Sequence, residues 1–436
     1  MEKKRAWFHD NDKLLVETFA YEYNKREREK FVEILKERVL AKLESRFDSQ
    51  FEFTPMTYEE IVEVAWAPYK DPTSSDIANF IKNAKTYGLT PERIKEKLKN
   101  GKWSSKQLSF GMLALEVYRD YEQELQKHNK IDFEDMINKA IDALLKDKVL
   151  YADCYDHILI DEYQDINAQR NRLVEVLLER NPTCKLFCVG DDWQSIMGFA
   201  GSNLNFIINF KEYFPNPAMT KIFTNYRSIK TIVEAGAELI KNNGRNQIEK
   251  RTTSCRNETK PIKVLRSTHK KSFETKYYDQ TAEDCLNRIE EYVKKGLPPK
   301  DILVLSRYRF SWIVRLLVEK AQERGVLISY DKEFSKRNQI RLMTAHKSKG
   351  LQAKVVFILD VVKGLYGFPC EIEDSSIYEP ARENYPKQDQ KQEERRLFYV
   401  AMTRAMDDLI IYTWEPPKSE FLEEIKEHVD EELLYY

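Results

Sequence analysis

From about Lys130 onward, short apolar runs of strand length alternate with stretches of helical period, and this alternation limits the possible folds most. The runs are HILI (157–160), KLFCV (185–189), KIF (221–223), DILVLS (301–306), RLMTA (341–345), VVFIL (355–359) and LIIYT (409–413). Apolar strands separated by helices are buried on both faces and belong to parallel sheets. The runs are too many for one small sheet, and Pro215 and Pro217 mark a seam. The expected class is α/β, with two parallel-sheet domains joined near residue 215.

The first 130 residues read differently. They are polar and mainly helical, with apolar spacing over 31–43 and a helix opened by Thr90-Pro91 and ended by Gly101. A short strand, LLVETF, is expected at 14–19. The stretch 365–392, rich in Pro, Glu, Asp and Gln, reads as a surface loop.

Composition excludes some classes. A net charge of -1 with 33% charged residues means that any nucleic-acid contact comes from local patches, not from a global field. The basic run Arg93, Lys95, Lys97, Lys99, Lys102 and Lys106 is one such patch, although Glu92 and Glu96 favour a solvated helix face. The six cysteines form no CxxC pair and read as buried free thiols of a reducing compartment. The N-terminus has no apolar core of a signal peptide, and the longest apolar runs are too short to span a bilayer. A cytoplasmic protein is expected.

Five segments carry chemistry. ILIDEYQD (158–165) ends an apolar strand in two carboxylates, where Asp161 could hold Mg²⁺ and Glu162 could activate a water. Taken alone, it could equally be an ordinary acidic turn. VGDDWQSIMGFAGS (189–202) adds Gln194, suited to sensing a phosphate, and Phe199, suited to stacking on a base. Its Trp193 alone reads as a core aromatic. FTNYRS (223–228) offers Arg227, and EERRLFYVAMTRA (393–405) offers Arg396 and Arg404. RLMTAHKSKGLQAKVVFI (341–358) places Thr344, His346, two lysines and Gly350 in a donor-rich loop after a strand. Singly, these last three segments read more readily as surface charge.

In order and spacing, the five segments resemble motifs II to VI of UvrD/Rep-type superfamily 1A DNA helicases, and GDDWQ together with GFP (367–369) is most similar to the DNA helicase IV group. IDFEDMI (131–137) matches a further family segment. The resemblance covers about residues 130–415. It implies two RecA-like domains, the first incomplete. A helical insertion-type region would occupy 1–130, a partial first motor domain 131–214, a second motor domain 215–415 and a helical tail 416–436. It further implies ATP and Mg²⁺ as cofactors and an ATP-dependent 3′–5′ helicase or translocase acting on single-stranded or duplex DNA. Asp161 would hold the metal and Glu162 would be the catalytic base. Gln194, Arg227 and Arg404 would contact the γ-phosphate, with Gly350 and Gln352 also at the nucleotide. Phe199, Thr344 and His346 would face DNA.

Several positions depart from the family pattern. Met197 and Phe199-Ala200 replace a tyrosine and a Trp-Arg pair, and Gln352 replaces a glutamate. The stretch from Arg227 to Thr344 is too short for a large insertion domain. A Walker A loop, G-x-x-x-x-G-K-[ST], does not occur. The one Gly-Lys pair, Gly101-Lys102, is followed by Trp103. Two expectations follow: an upstream polypeptide completes the motor, or the chain is an inactive DNA-binding or regulatory remnant. A nuclease lacks support, since no paired nuclease carboxylates are present.

Overall fold

The computed structural model describes residues 28–47, 58–267, 274–330, 339–372, 375–383, 389–414 and 418–434. The strand expected at 14–19 lies outside them. The chain divides into two units, residues 1–76 and 77–436. In the first, helix α1 spans Arg28–Phe47. Helix α2, Tyr58–Thr86, ends within the second unit.

Three further helices follow: α3 (Pro91–Asn100), α4 (Ser105–Lys127) and α5 (Phe133–Lys146). Each begins where its cap dictates. The Thr90 hydroxyl accepts from the Arg93 amide ahead of Pro91, and Ser104/Gln107 and Asp132/Asp135 form reciprocal capping boxes. Phe80, Ala84, Leu89, Ile94, Leu98 and Leu115 make a small core among α2, α3 and α4. Gly101 ends α3, so the Gly-Lys pair sits at a helix C-terminus, not at a phosphate-binding N-terminus.

A two-stranded parallel sheet comes next, β1 (His157–Ile160) and β2 (Lys185–Cys188), linked through α6 (Ala168–Arg180). One face packs on Tyr163, Ile166, Phe206 and Ile207. The other presents Leu159 and Phe187, register partners that are 72% and 60% exposed. Such an apolar face is unusual on a finished sheet. Short helices α7 (Asn205–Ile208) and α8 (Phe210–Tyr213) lead to Pro215.

Beyond it, β3 (Thr224–Asn225) pairs with β4 (Thr253–Ser254) on either side of α9 (Lys230–Lys241). The strand expected at 221–223 therefore starts at Thr224 instead, and Ile222 and Phe223 are exposed. The remaining strands are β5 (Ile262–Ser267), β6 (Ile302–Ser306), β7 (Ile328–Tyr330), β8 (Ile340–Thr344), β9 (Ala353–Ile358), β10 (Ala405–Trp414) and β11 (Val429–Leu434). They form one parallel sheet in the order β11-β5-β10-β9-β6-β8-β7. The intervening helices are α10 (Glu274–Lys294), α11 (Trp312–Glu323), α12 (Gln390–Met402) and α13 (Glu420–Glu424).

Alternation along the strands builds two cores. Leu303, Leu305, Val356 and Ile358 join α9, α12 and α13 on one face, while Ile302, Val304, Val355 and Phe357 join α10 and α11 on the other. Between Arg227 and Thr344 the described residues belong to this sheet, its covering layers and the short β3–β4 pair, leaving no separate insertion domain among them.

Three expectations are corrected here. Residues 416–436 do not form a purely helical tail. After α13 the chain becomes β11, an edge strand whose Glu431 and Glu432 pair with Arg266 and Lys263 of β5. Charges suit an edge because they discourage further pairing. The stretch 365–392 is only partly a surface loop, because Phe368, Ile377, Pro380 and Ala381 are buried and Gln107 of α4 donates to the Ser376 carbonyl at 3.0 Å. The cysteines are free, yet only Cys285 and Cys370 are buried.

Candidate functional site

The carboxyl end of β1 delivers Asp161 and Glu162 to the surface, both exposed. The Asp161 carboxylate accepts from the Glu162 amide at 2.8 Å. Glu162 has φ 51°, a left-handed backbone that costs free energy in any residue but glycine and so aims the side chain at a local expense. The Gln164 amide group donates to the Glu162 carboxylate.

The loop after β2 carries Gln194. Its side-chain amide donates to Asp191 at 2.8 Å, and its carbonyl oxygen accepts from the Arg404 guanidinium at 3.4 Å. Arg404 comes from the turn between α12 and β10 and is almost fully buried. It also donates to the carbonyls of Val400 (2.9 Å) and Leu351 (3.1 Å). Burial, followed by the neighbouring positive charge of Arg227, lowers its pKa to about 10. Arg227 donates from Nε to the Gln352 side chain at 2.8 Å, and burial lowers its pKa as well. Among the described residues, neither guanidinium has a carboxylate partner. A cavity of about 460 Å³ opens beside them, lined by Gln194, Asn225, Tyr226, Arg227, Gln352 and Met406.

Thus Gln194, Arg227 and Gln352 line one cavity, and Arg404 stands behind it, bonded to Gln194. Asp161 does not line it, nor does Gly350, which holds a left-handed turn two residues before Gln352. Glu162 reaches the group through Lys349, whose ammonium lies 3.6 Å from Glu162 and 2.6 Å from Asp165 and donates to the Gln194 carbonyl at 2.9 Å.

Side chains from the large sheet therefore hold the loops of the small one. Arg396 donates to the Ser195 carbonyl at 2.8 Å, and Glu393 accepts from the Gly198 amide at 2.9 Å. Trp193 is buried edge-on to Tyr399 at 5.5 Å, so its reading as a core aromatic holds. Lys250 bridges Asp191 and Asp192 and lies 4.8 Å above the Trp193 ring. Sequence reasoning placed Lys349 only in a donor-rich loop and passed over Lys250 and Tyr226. Only Tyr226 left a signal, being an aromatic beside a candidate arginine, and it is 76% exposed at the cavity wall.

The residues expected to face nucleic acid gather at a different edge. Phe199 is 58% exposed and meets His346 edge-on at 5.2 Å. Thr344 ends β8 and pairs with Ser306 of β6. Burial, followed by the charge of Arg307, pushes the His346 pKa down to about 3, so the ring is neutral near pH 7. An unfolded histidine titrates near 6.5. The unfolded chain thus binds a proton between about pH 6.5 and pH 3 that the folded chain refuses, and stability falls as pH drops through that window. In urea unfolding from pH 7 to pH 4, His346→Gln is expected to lose less stability than the parent chain. An equal loss would show that His346 is not buried in this way.

Comparison with known proteins places this geometry. Residues 6–215 match the UvrD/REP helicase N-terminal domain, and residues 317–415 match the UvrD-like helicase C-terminal domain. Over 284 residues the chain is 34% identical to DNA helicase IV of Escherichia coli K12, covering 64% of this chain and 37% of that protein. It is 29% identical to the putative ATP-dependent DNA helicase YjcD of Bacillus subtilis and 32% identical to the ATP-dependent DNA helicase PcrA of Leuconostoc citreum. Each of these matches covers 53% of this chain and 29% of the relative. The chain thus spans well under half the length of these relatives. No helix among the described residues is long and apolar enough to cross a membrane.

Proposed function

Because the chain belongs to the UvrD/Rep helicase family, we propose that the cavity beside Arg227 and Arg404 binds ATP and that the chain is part of an ATP-driven 3′–5′ DNA translocase. One observation carries the reading: Arg227 and Gln194 line a cavity, Gln194 is bonded to the buried Arg404, and neither guanidinium has a carboxylate partner among the described residues. Buried cations without partners are costly, and a polyphosphate supplies the missing charge in bidentate geometry.

Roles follow from position. Tyr226 offers a flat ring to the base. Arg227, Arg404 and Gln194 take the terminal phosphate, and Gln352 and Gly350 shape the wall beside them. Glu162, exposed at the end of β1, orients and deprotonates the attacking water once Lys349 moves off it. Mg²⁺ fits Asp161 in the manner usual for phosphate enzymes, with one carboxylate and the other ligands drawn from phosphate and water. The metal would neutralise charge on the phosphates. Phe199, His346 and Thr344 contact single-stranded DNA.

Hydrolysis also requires a phosphate-gripping loop, which these residues do not contain. In this reading it comes from polypeptide that covers the exposed Leu159/Phe187 face. A second reading, DNA binding without hydrolysis, is favoured by the place of Gly101-Lys102 at a helix C-terminus.

DNA-stimulated phosphate release separates the two, measured with and without an added polypeptide that carries such a loop. Restored activity that drops about 100-fold or more in Glu162→Gln supports the motor. No activity under either condition, with DNA still bound, supports the second reading.

A further inference from the structure

Past the carboxyl ends of β6 and β8, the candidate DNA edge continues into side chains that the nucleotide chemistry does not use. Residues 307–312 leave β6 directly beside Thr344, since Ser306 and Thr344 are register partners. Arg307 lies close enough to His346 to depress its protonation, and stacks on Tyr308 with its guanidinium 4.9 Å from the ring centroid. Tyr308 meets Tyr366 edge-on at 5.0 Å. One residue on, Arg309 lies 5.3 Å from the Phe310 ring centroid and 5.0 Å from that of Tyr330. Phe310 is 89% exposed and Trp312 is 69% exposed, with Arg315 lying 5.8 Å from the indole.

Water-facing aromatics at this density, each beside an arginine, do not serve a core. Arg309 has no carboxylate partner among the described residues, whereas Arg315 is paired to Glu319 at 2.9 Å. Alternating cations and flat rings match a polymer of alternating phosphates and bases; Arg307, ion-paired to Glu394 at 2.6 Å, only links them to His346, and the cation offered to a phosphate is Arg309. Among the described residues a protein partner would find rings separated by charge instead of a continuous apolar face.

We infer that Arg309, Phe310 and Trp312 extend the single-strand track, with Phe310 and Trp312 stacking on successive bases and Arg309 holding the phosphate between them. This rests on the proposed DNA reading and adds a second, separable segment to the footprint.

The test uses the full chain and fluorescent oligothymidylates of about 6 and about 16 nucleotides, lengths that bracket one and two such segments. Phe310→Ala/Trp312→Ala is expected to weaken binding of the longer strand about 10-fold or more, and to leave the shorter one bound at Phe199/His346 nearly unchanged. Both side chains are exposed, so folding is not at stake, and Phe310→Tyr/Trp312→Phe should restore the affinity. Arg309→Ala should lower the slope of log affinity against log salt by about 0.7. If the double alanine variant binds both strands as the parent does while Phe199→Ala does not, the extension is wrong and the DNA reading stands. If the parent binds neither strand, both fail.

Discussion

Arg404→Ala is expected to weaken binding of Mg·ATP by roughly 10- to 150-fold, the range for losing one charged hydrogen-bonding partner from a buried site. The guanidinium is nearly inaccessible to water, has no carboxylate counter-charge and already touches Gln194. Its protonated form is held against burial and the repulsion of Arg227, so an incoming phosphate gains from two cations at once. Because Arg404 also donates to the carbonyls of Val400 and Leu351, the variant will lose some stability as well. Arg227→Ala separates the two effects. Arg227 is only half-buried, and its replacement should weaken nucleotide binding with little change in unfolding midpoint. Fluorescence titration with a labelled ATP analogue, run beside thermal unfolding of each variant, checks both. Unchanged affinity in both arginine variants would remove the nucleotide from this cavity.

The largest expected loss of stability lies far from the cavity. Lys85 of α2 is 3% exposed and bridges Glu122 at 2.6 Å, Asp132 at 2.6 Å and Asp135 at 2.8 Å. Burial alone would lower its pKa, but the hydrogen bonds it donates to Asp132, Asp135 and Glu122 win and hold it well above the ordinary lysine value. One cation thus ties α2 to α4 and to the capped start of α5, whose N-cap is Asp132. Lys85→Ala leaves three crowded carboxylates unpaired. A cost of about 3–5 kcal/mol is expected, as for other broken buried ion pairs. The sign with pH follows from the carboxylates. In the parent chain Asp132 is held below its ordinary pKa despite burial, because Lys85 and the Asp135 amide bond to its charged form. That contribution is present above the unfolded carboxylate range near pH 4 and fades as pH falls through the folded pKa. Lys85→Ala should therefore lose most at pH 7 and less at pH 3, in denaturant titrations at both pH values. A uniform or negligible loss would mean that the cluster is solvated.

Much of the fold was legible because burial on both sides of a sheet leaves a plain mark. The runs 302–306, 340–344, 353–358 and 405–414 fell within one or a few residues of the expected runs, and 157–160 became β1 residue for residue on its apolar composition alone, since its Leu159 side stays exposed. Strands that carry charge were not legible. In β11 the run VDEELL reads as an acidic helix, because nothing local reveals that Glu431 and Glu432 answer Arg266 and Lys263 one strand away. In β5, Lys263 and Arg266 interrupt the apolar pattern for the same reason. The three-residue β7 is too short to show a period. At the site, the side-chain types and their order pointed to Gln194, Arg227 and Arg404, and the fold brings them together. The partners of Lys349 and Lys250 stayed hidden, because a lysine in a loop gives no hint of the carboxylate it will find across the chain.

The central claim is that arginines from the seven-stranded sheet and Gln194 from the loop after β2 share one nucleotide. Photolabelling the full chain with 8-azido-ATP, followed by peptide mapping, tests it most directly. The account predicts covalent label on the peptide that contains Tyr226, removed by excess unlabelled Mg·ATP and reduced in Arg227→Ala. Label that excess ATP does not displace, or that maps only to peptides away from the residues lining this cavity, would contradict it.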